Sequence, residues 1–158
     1  MSKDQPIKRS AQLAPLSREH HEALVFLLRI KTGLKNGTHI QVISDYINWF
    51  WINNLKEHFD QEEKLLLPTL AANDELAIQL KKEHQAIRAI VSGDLDKMQI
   101  MLLSDLLNAH IRFEERLLFP HIEQRISVLK LNEIFRQLDR PVQCQTSWTN
   151  TFWMRKKP

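Results

Sequence analysis

Two stretches of the chain repeat one pattern: HFDQEEKLLLP at residues 58–68 and HIRFEERLLFP at residues 110–120. Both fit the frame H-x-x-x-E-E-[KR]-L-L-x-P, and the second copy starts at residue 110 where the first starts at residue 58, a displacement of 52. The histidine and the first glutamate of each copy are four residues apart, so in a helix their side chains lie on the same face. Each copy therefore predicts a helix that presents a histidine and a glutamate side by side.

A shorter repeat precedes each copy. Arg18-Glu19-His20 and Lys82-Glu83-His84 share the order basic residue, glutamate, histidine, and residue 82 follows residue 18 by 64 positions. Apolar residues recur every three or four positions in both halves of the chain, which indicates amphipathic helices. The two halves are therefore predicted to be helical hairpins of one design, with the histidines at 20 and 84 on core-facing helix faces.

The chain is predicted to be all-α, an antiparallel up-down-up-down four-helix bundle with a short fifth helix and an irregular C-terminal tail. Only three glycines occur in 158 residues, which favours long helices over many strands and turns. Apolar periodicity and capping residues predict the helix bounds. These are helix A from near Ser17 to Gly33, B from about Thr38 to about Leu66, C from Asn73 or Asp74 to Gly93, D from about Asp96 to near Pro120, and a fifth helix over 128–138.

A single domain is expected, in three parts. Residues 1–15 are polar and contain Pro6 and Pro15, which predicts a flexible arm, and residues 16–139 form the bundle. Residues 140–158 form a tail without a clear period. We expect its aromatic residues Trp148 and Trp153 to pack on the bundle or on a partner subunit, so a homodimer is possible.

Composition and charge exclude several classes of protein. The net charge is +3, and basic residues concentrate at the two ends of the chain, so the body carries no nucleic-acid footprint. No apolar run is long enough to cross a membrane, and the N-terminal residues MSKDQPIKRS do not resemble a signal peptide. Cys144, the one cysteine, cannot form an internal disulfide. A cytoplasmic location is expected.

The core-facing histidines and glutamates predict a metal site. A buried carboxylate must be paired or bound to a metal, and four antiparallel helices can bring such groups to one level. Imidazole nitrogens with carboxylate oxygens suit iron, and less exclusively zinc or manganese. The internal repeat predicts two equivalent metal positions. The predicted metal ligands are His20, His58, Glu62, His84, His110 and Glu114.

This pattern resembles the hemerythrin-like, or HHE cation-binding, family over roughly Leu16 to Ile122. The resemblance rests on the order H…H-x-x-x-E…H…H-x-x-x-E, with its flanking E-H and E-E pairs. It implies an oxo- or hydroxo-bridged di-iron centre that binds dioxygen or reacts with other small diatomic ligands. By position, it implies that His20 and His58 hold one iron, that His84 and His110 hold the other, and that Glu62 and Glu114 bridge the two.

Two positions depart from the oxygen-carrying members of the family. Those members have an additional histidine one turn before the helix-C ligand, where this chain has Leu80. They also have an aspartate five residues after the helix-D histidine, where this chain has Glu114 at four. The resemblance is therefore closer to the bacterial relatives linked to iron-centre repair and nitric-oxide stress than to the oxygen carriers.

Three functions are compatible with this pattern. The first is a protein that binds dioxygen, nitric oxide or peroxide in a sensing, protective or iron-handling role. The second is an oxidoreductase that reduces nitric oxide or peroxide at the di-iron centre, with electrons from an unidentified redox partner. The third is a protein-binding module with a structural metal, which contacts its partner through the Trp-rich tail.

Several other polar residues are expected outside the ligand set. His21 should point about 100° away from His20 and favours a surface role, although a swap of the two as ligand stays open. His39 and His121 are predicted to be solvated. Glu63 and Glu115 lie one residue off the ligand line, which favours a place at the surface or behind the ligands.

Overall fold

The computed structural model describes residues 8–138 and 147–154, and these residues form helices and no strands. Helix α1 is Ala14–Lys35. Helix α2 runs without a break through Ile40–Phe50, Trp51–Leu55, Lys56–Gln61 and Glu62–Leu66, and a 3-10 turn, Leu67–Thr69, follows it. Helix α3 is Glu75–Val91, helix α4 runs through Lys97–Phe113, Glu114–Leu118 and Phe119–Arg125, and helix α5 is Val128–Leu138.

The four long helices pack as an antiparallel up-down-up-down bundle, as the sequence predicted. Helix α1 packs against α2 and α4, and α3 packs against α4. Short connections at 36–39 and 92–96 reverse the chain direction between neighbours. The short helix α5 packs against α1. Within the described ranges, no helix combines the length and the apolar character that a bilayer crossing requires.

The start of the bundle differs from the prediction. Helix α1 begins at Ala14 rather than near Ser17, with Pro15 in its first turn, where the missing N–H needs no partner. Leu13, directly before the helix, is fully buried. The flexible arm predicted for 1–15 is therefore wrong at its C-terminal end, because the apolar Leu13 anchors that end in the core. Residues 1–7, 139–146 and 155–158 lie outside the described residues, and so does Cys144.

Helix α4 continues past Pro120, where the sequence predicted its end, to Arg125. A proline inside a helix cannot donate a hydrogen bond and crowds the carbonyl four residues earlier. Here the preceding turn, Glu114–Leu118, is π-helical, and the N–H of Phe119 donates to the Glu114 carbonyl five residues earlier. The wide turn before Pro120 relieves the crowding between the proline ring and the preceding carbonyl, so the helix continues to Arg125.

Helix α3 begins after Asp74, one of the two caps that the sequence offered. The Asp74 carboxylate accepts hydrogen bonds from the N–H of Leu76 at 2.9 Å and of Ala77 at 3.4 Å. It also lies 2.7 Å from His121 Nε2. The His121 side chain is only 17% exposed, so the prediction that it is solvated is wrong, because the Asp74 carboxylate binds it against the bundle.

Two clusters of buried apolar residues lie on either side of one polar layer. The large cluster includes Ala23, Phe59, Ile87 and Leu107, and the small cluster includes Leu16, Leu66, Leu80 and Leu118. On helices α1 and α3 a buried histidine separates the two clusters along the chain. His20, for example, lies between Leu16 and Ala23 on α1. The polar layer is therefore enclosed by apolar residues at both ends.

Residues 147–154 have no regular secondary structure, and they pack on the bundle, one of the two surfaces that the sequence offered. The buried Tyr46 is the centre of this contact. Its ring centroid lies 5.1 Å from that of Trp148, 5.2 Å from that of Phe152 and 5.5 Å from that of Trp153. A Cβ at Gly33 would lie 2.6 Å from the Phe152 ring, so the missing side chain at Gly33 makes room for the tail.

Gly33→Ala is expected to displace Phe152 and loosen the tail. A glycine-to-alanine change inside a helix stabilises by about 1 kcal/mol when there is space, but here the ring must move first. Tryptophan emission should shift to longer wavelength as Trp148 and Trp153 become hydrated. Gly93→Ala is the matched control, because its new Cβ would meet its nearest neighbour at 3.6 Å, an ordinary contact. An unchanged emission spectrum in Gly33→Ala would contradict this packing.

Candidate metal centre

Six buried polar side chains form a layer across the bundle. The two glutamates are 0% exposed and none of the four histidines is more than 3% exposed. These are the six residues that the sequence predicted as metal ligands, and the structure brings all of them together. They are His20 on α1, His58 and Glu62 on α2, His84 on α3, and His110 and Glu114 on α4.

The layer divides into two groups that share both glutamates. One group contains the first two histidines, His20 and His58, and the other contains the last two, His84 and His110. Glu62 and Glu114 belong to both groups. Within each group the possible ligand atoms all lie within 4.8 Å of one another. Each group could hold one metal ion, and each glutamate faces both positions.

All four imidazole rings point Nε2 into the layer. His20 Nε2 lies 3.1 Å from Glu114 Oε2, and His58 Nε2 lies 3.1 Å from Glu62 Oε1. His84 Nε2 lies 3.3 Å from Glu62 Oε1 and 3.6 Å from Glu114 Oε1. His110 Nε2 contacts Glu114 Oε1 directly. His20 and His58 also face each other, Nε2 to Nε2, at 3.1 Å.

These close contacts leave the buried polar atoms without proper hydrogen bonds. Among the described residues, both carboxylate oxygens of Glu62 and of Glu114 have no hydrogen-bond partner, and the same holds for Nε2 of His84 and of His110. Buried carboxylates in this condition are strongly unfavourable unless a cation compensates them. The atoms converge on shared points instead of pairing with one another, and imidazole nitrogens and carboxylate oxygens are metal donors. The residues therefore fit a metal site.

A second set of carboxylates lies behind the histidines. Nδ1 of three rings lies at hydrogen-bond distance from a glutamate: His20 from Glu115 at 2.8 Å, His58 from Glu19 at 2.9 Å, and His110 from Glu83 at 2.9 Å. His84 Nδ1 lies farther, 3.7 Å, from Glu63. A carboxylate that accepts a hydrogen bond from the Nδ1–H group fixes the tautomer and leaves Nε2 free to bind a metal.

The carboxylates behind the histidines also tie neighbouring helices together. Glu19 of α1 reaches α2, Glu63 of α2 reaches α3, Glu83 of α3 reaches α4, and Glu115 of α4 returns to α1. The sequence placed Glu63 and Glu115 off the ligand line, where the structure has them. It gave no role to Glu19 and Glu83, although their repeat in the two E-H pairs was the available signal.

The pKa values of the two glutamates of the layer are shifted in opposite directions. Burial and the charge of Glu114 raise the pKa of Glu62 to about 8. Burial would also raise the pKa of Glu114, but the charge of His110 beside it outweighs burial and holds that pKa well below its usual range. Burial lowers the pKa of His110, but the charge of Glu114 and the hydrogen bond to Glu83 outweigh burial and raise it to about 10. The protein alone therefore carries protons at Glu62 and His110 at neutral pH, which a cation would have to displace.

Both glutamates begin a π-helical turn, Glu62–Leu66 on α2 and Glu114–Leu118 on α4. Such turns are rare and are often found at functional sites. In each copy of the repeat a proline follows the glutamate by six residues, and the wider turn relieves the crowding that a proline causes. These turns were not predicted from the sequence, although the repeated proline was a signal for them.

A small cavity lies beside the layer. Its volume is about 20 Å³, and its lining includes His20, His58 and His110. The lining also includes Glu22, which is exposed, so the cavity reaches from the layer toward the surface of α1. A space of this size accommodates about one water-sized molecule.

The remaining candidates lie elsewhere. His21 and His39 are exposed, as predicted, and neither joins the layer. The swap of His20 and His21 that the sequence left open is therefore not what the structure shows. Leu80, one turn before His84, is fully buried in the small cluster.

Comparison with known proteins identifies a family. The family model described as hemerythrin HHE cation binding domain matches residues 12–122. No curated protein and no solved structure matched the chain significantly. The matched segment covers more than half of the chain and contains the whole polar layer, together with the four glutamates behind the histidines. The chain therefore belongs to the hemerythrin HHE cation-binding domain family.

Proposed function

We propose that this chain is a non-haem di-iron protein that binds dioxygen, nitric oxide or peroxide in a sensing, protective or iron-handling role. The observation that carries this proposal is the sharing of Glu62 and Glu114 between two four-residue groups. A carboxylate has two oxygens, so each glutamate can give one oxygen to each of two ions. Two adjacent ions bridged in this way would account for every buried carboxylate oxygen that lacks a hydrogen-bond partner among the described residues.

The donor set supports iron over the alternatives. Each ion would receive two imidazole nitrogens and two carboxylate oxygens, and the layer contains no thiolate. Histidine-carboxylate sets with open positions are typical of non-haem iron, whereas structural zinc sites are closed tetrahedra that frequently use cysteine. Zinc or manganese is the less favoured occupant.

The cavity supports a small exogenous ligand. It lies against three of the four histidines and has room for about one water-sized molecule. The large and small apolar clusters cover the two ends of the layer. A diatomic molecule or peroxide fits this size.

Two alternative functions differ in what the centre does. An oxidoreductase would use the same residues but would turn over nitric oxide or peroxide with electrons from a donor, so sustained consumption of either with a chemical reductant would favour it. A protein-binding module with a structural metal would need a free tail surface. Trp148, Phe152 and Trp153 instead pack on Tyr46, which argues against that use of the tail.

Removal of one bridging glutamate should disturb both metals. Glu114→Ala is expected to reduce bound iron from two per chain to fewer than one, because Glu114 belongs to both groups. His20 belongs to one group only, so His20→Ala should first weaken the binding of a single iron. Elemental analysis and Mössbauer spectra of protein loaded under argon would separate the two outcomes. A normal coupled two-iron spectrum in Glu114→Ala would show that this glutamate is not a bridge.

Iron binding should release protons and should strengthen as pH rises. At pH 7 Glu62, with a pKa of about 8, and His110, with a pKa of about 10, hold protons that a metal must displace. Affinity for Fe²⁺ should therefore increase from pH 6 to pH 8, and bound iron should be lost well below the usual histidine pKa of about 6.5. Anaerobic calorimetry in buffers of different ionisation enthalpy measures the released protons. Binding with no proton release at pH 7 would contradict the charge state described above.

A further inference from the structure

Arg9 connects the segment before helix α1 to helix α4. Its side chain is only 9% exposed. The guanidinium donates to Glu115 Oε2 from Nη2 at 2.9 Å and from Nε at 3.3 Å, and Nη1 binds the Glu123 carboxylate. Its Cζ lies 5.0 Å from the centre of the Phe119 ring. A residue outside the helices is thus bound to three side chains of α4.

Two of those side chains hold His20. Glu115 uses its other oxygen, Oε1, to contact His20 Nδ1 at 2.8 Å. Phe119 stacks on the His20 ring, with 5.5 Å between ring centres and 3° between ring planes. Arg9 therefore contacts both groups that orient His20, the carboxylate at its outer nitrogen and the aromatic ring on its face.

The other half of the bundle has a looser version of this arrangement. Arg88 of α3 donates to Glu63 Oε1 at 2.8 Å and lies 5.7 Å from the centre of the Phe59 ring. Phe59 stacks on His84 at 3.9 Å and 7°. However, Glu63 lies 3.7 Å from His84 Nδ1, and Arg88 is 31% exposed. Arg88 thus contacts a carboxylate that does not reach hydrogen-bond distance of its histidine.

We propose that Arg9 is a positioning residue for His20, and through it for the metal held by His20 and His58, with Arg88 as its weaker counterpart at His84. This inference rests on the proposed di-iron function and adds to it a dependence of one metal position on the segment before α1. Arginine forms a planar fork that holds a carboxylate in one orientation, which lysine cannot reproduce. A carboxylate held in that orientation keeps the imidazole aligned toward the metal.

The test is the rate at which iron is lost from the protein. The whole chain is loaded with Fe²⁺ under argon and mixed with an excess of a ferrous chelator, and the loss of both irons is followed by absorbance. Removal of a group that supports a ligand typically weakens metal binding about 10–100-fold, so Arg9→Ala should release one of the two irons roughly tenfold faster and leave the other near the parent rate. Arg9→Lys should lie between the two. Arg88→Ala should have a smaller effect, and Arg112→Ala, at an exposed arginine of α4, should match the parent.

A double variant tests whether Arg9 acts through Glu115. Arg9→Ala with Glu115→Gln should lose iron no faster than Glu115→Gln alone. Parent rates for both irons in Arg9→Ala, or equal acceleration of both, would overturn the positioning role. Additive effects in the double variant would also overturn it, because Arg9 would then act by another route. A parent chain that holds fewer than two irons would instead contradict the di-iron proposal itself.

Discussion

Two glutamates with no hydrogen-bond partner for their carboxylate oxygens lie fully buried across the centre of this bundle, and the rest of the structure is arranged around them. Taking a carboxylate out of water costs several kcal/mol even after the protein relaxes. In the protein alone, a proton on Glu62 and the charged His110 beside Glu114 offset part of that cost. Two cations shared by the same carboxylates would offset it without protons, which links metal occupancy to the stability of the bundle.

The glutamates behind the histidines and the apolar clusters at the ends of the layer make the geometry of the layer depend on the packing of all four long helices. Each histidine has a glutamate of a neighbouring helix behind it, so the contacts pass from α1 to α2, α3, α4 and back to α1. The direction of each imidazole therefore depends on how two helices pack, not on one helix alone. Apolar clusters close both ends of the layer, and they keep water from hydrating the carboxylates. A small cavity beside three of the histidines, whose lining includes the exposed Glu22, lies between the layer and the surface of α1.

The internal repeat made the bundle and the six residues of the layer predictable from sequence. A histidine and a glutamate four residues apart lie on the same helix face. Because the pair occurs twice, the sequence predicts two helices that each present a histidine and a glutamate to the core. What the sequence could not give depends on contacts between distant segments. Nothing in the sequence distinguishes Arg9 from its polar neighbours, because its partners Glu115 and Glu123 lie more than 100 positions away. The same holds for His121, whose partner Asp74 is 47 positions away in the sequence.

The π-helical turns in α2 and α4 could not be predicted from the residue pattern either. Pro120 ends a regular helix by the usual rules, but a π-helical turn before it lets α4 continue to Arg125. The same kind of turn begins at Glu62 on α2, so the two repeats share a departure from α-helical geometry at the two residues proposed as bridges. That coincidence is consistent with the link between π-helical turns and functional sites.

Anomalous diffraction at the iron edge, from crystals of protein loaded with Fe²⁺, would locate the metal ions in the layer. We expect two strong peaks, one next to His20 and His58 and one next to His84 and His110, each within bonding distance of both Glu62 and Glu114. A single peak, or two peaks that do not share these glutamates, would rule out a di-iron centre bridged by Glu62 and Glu114.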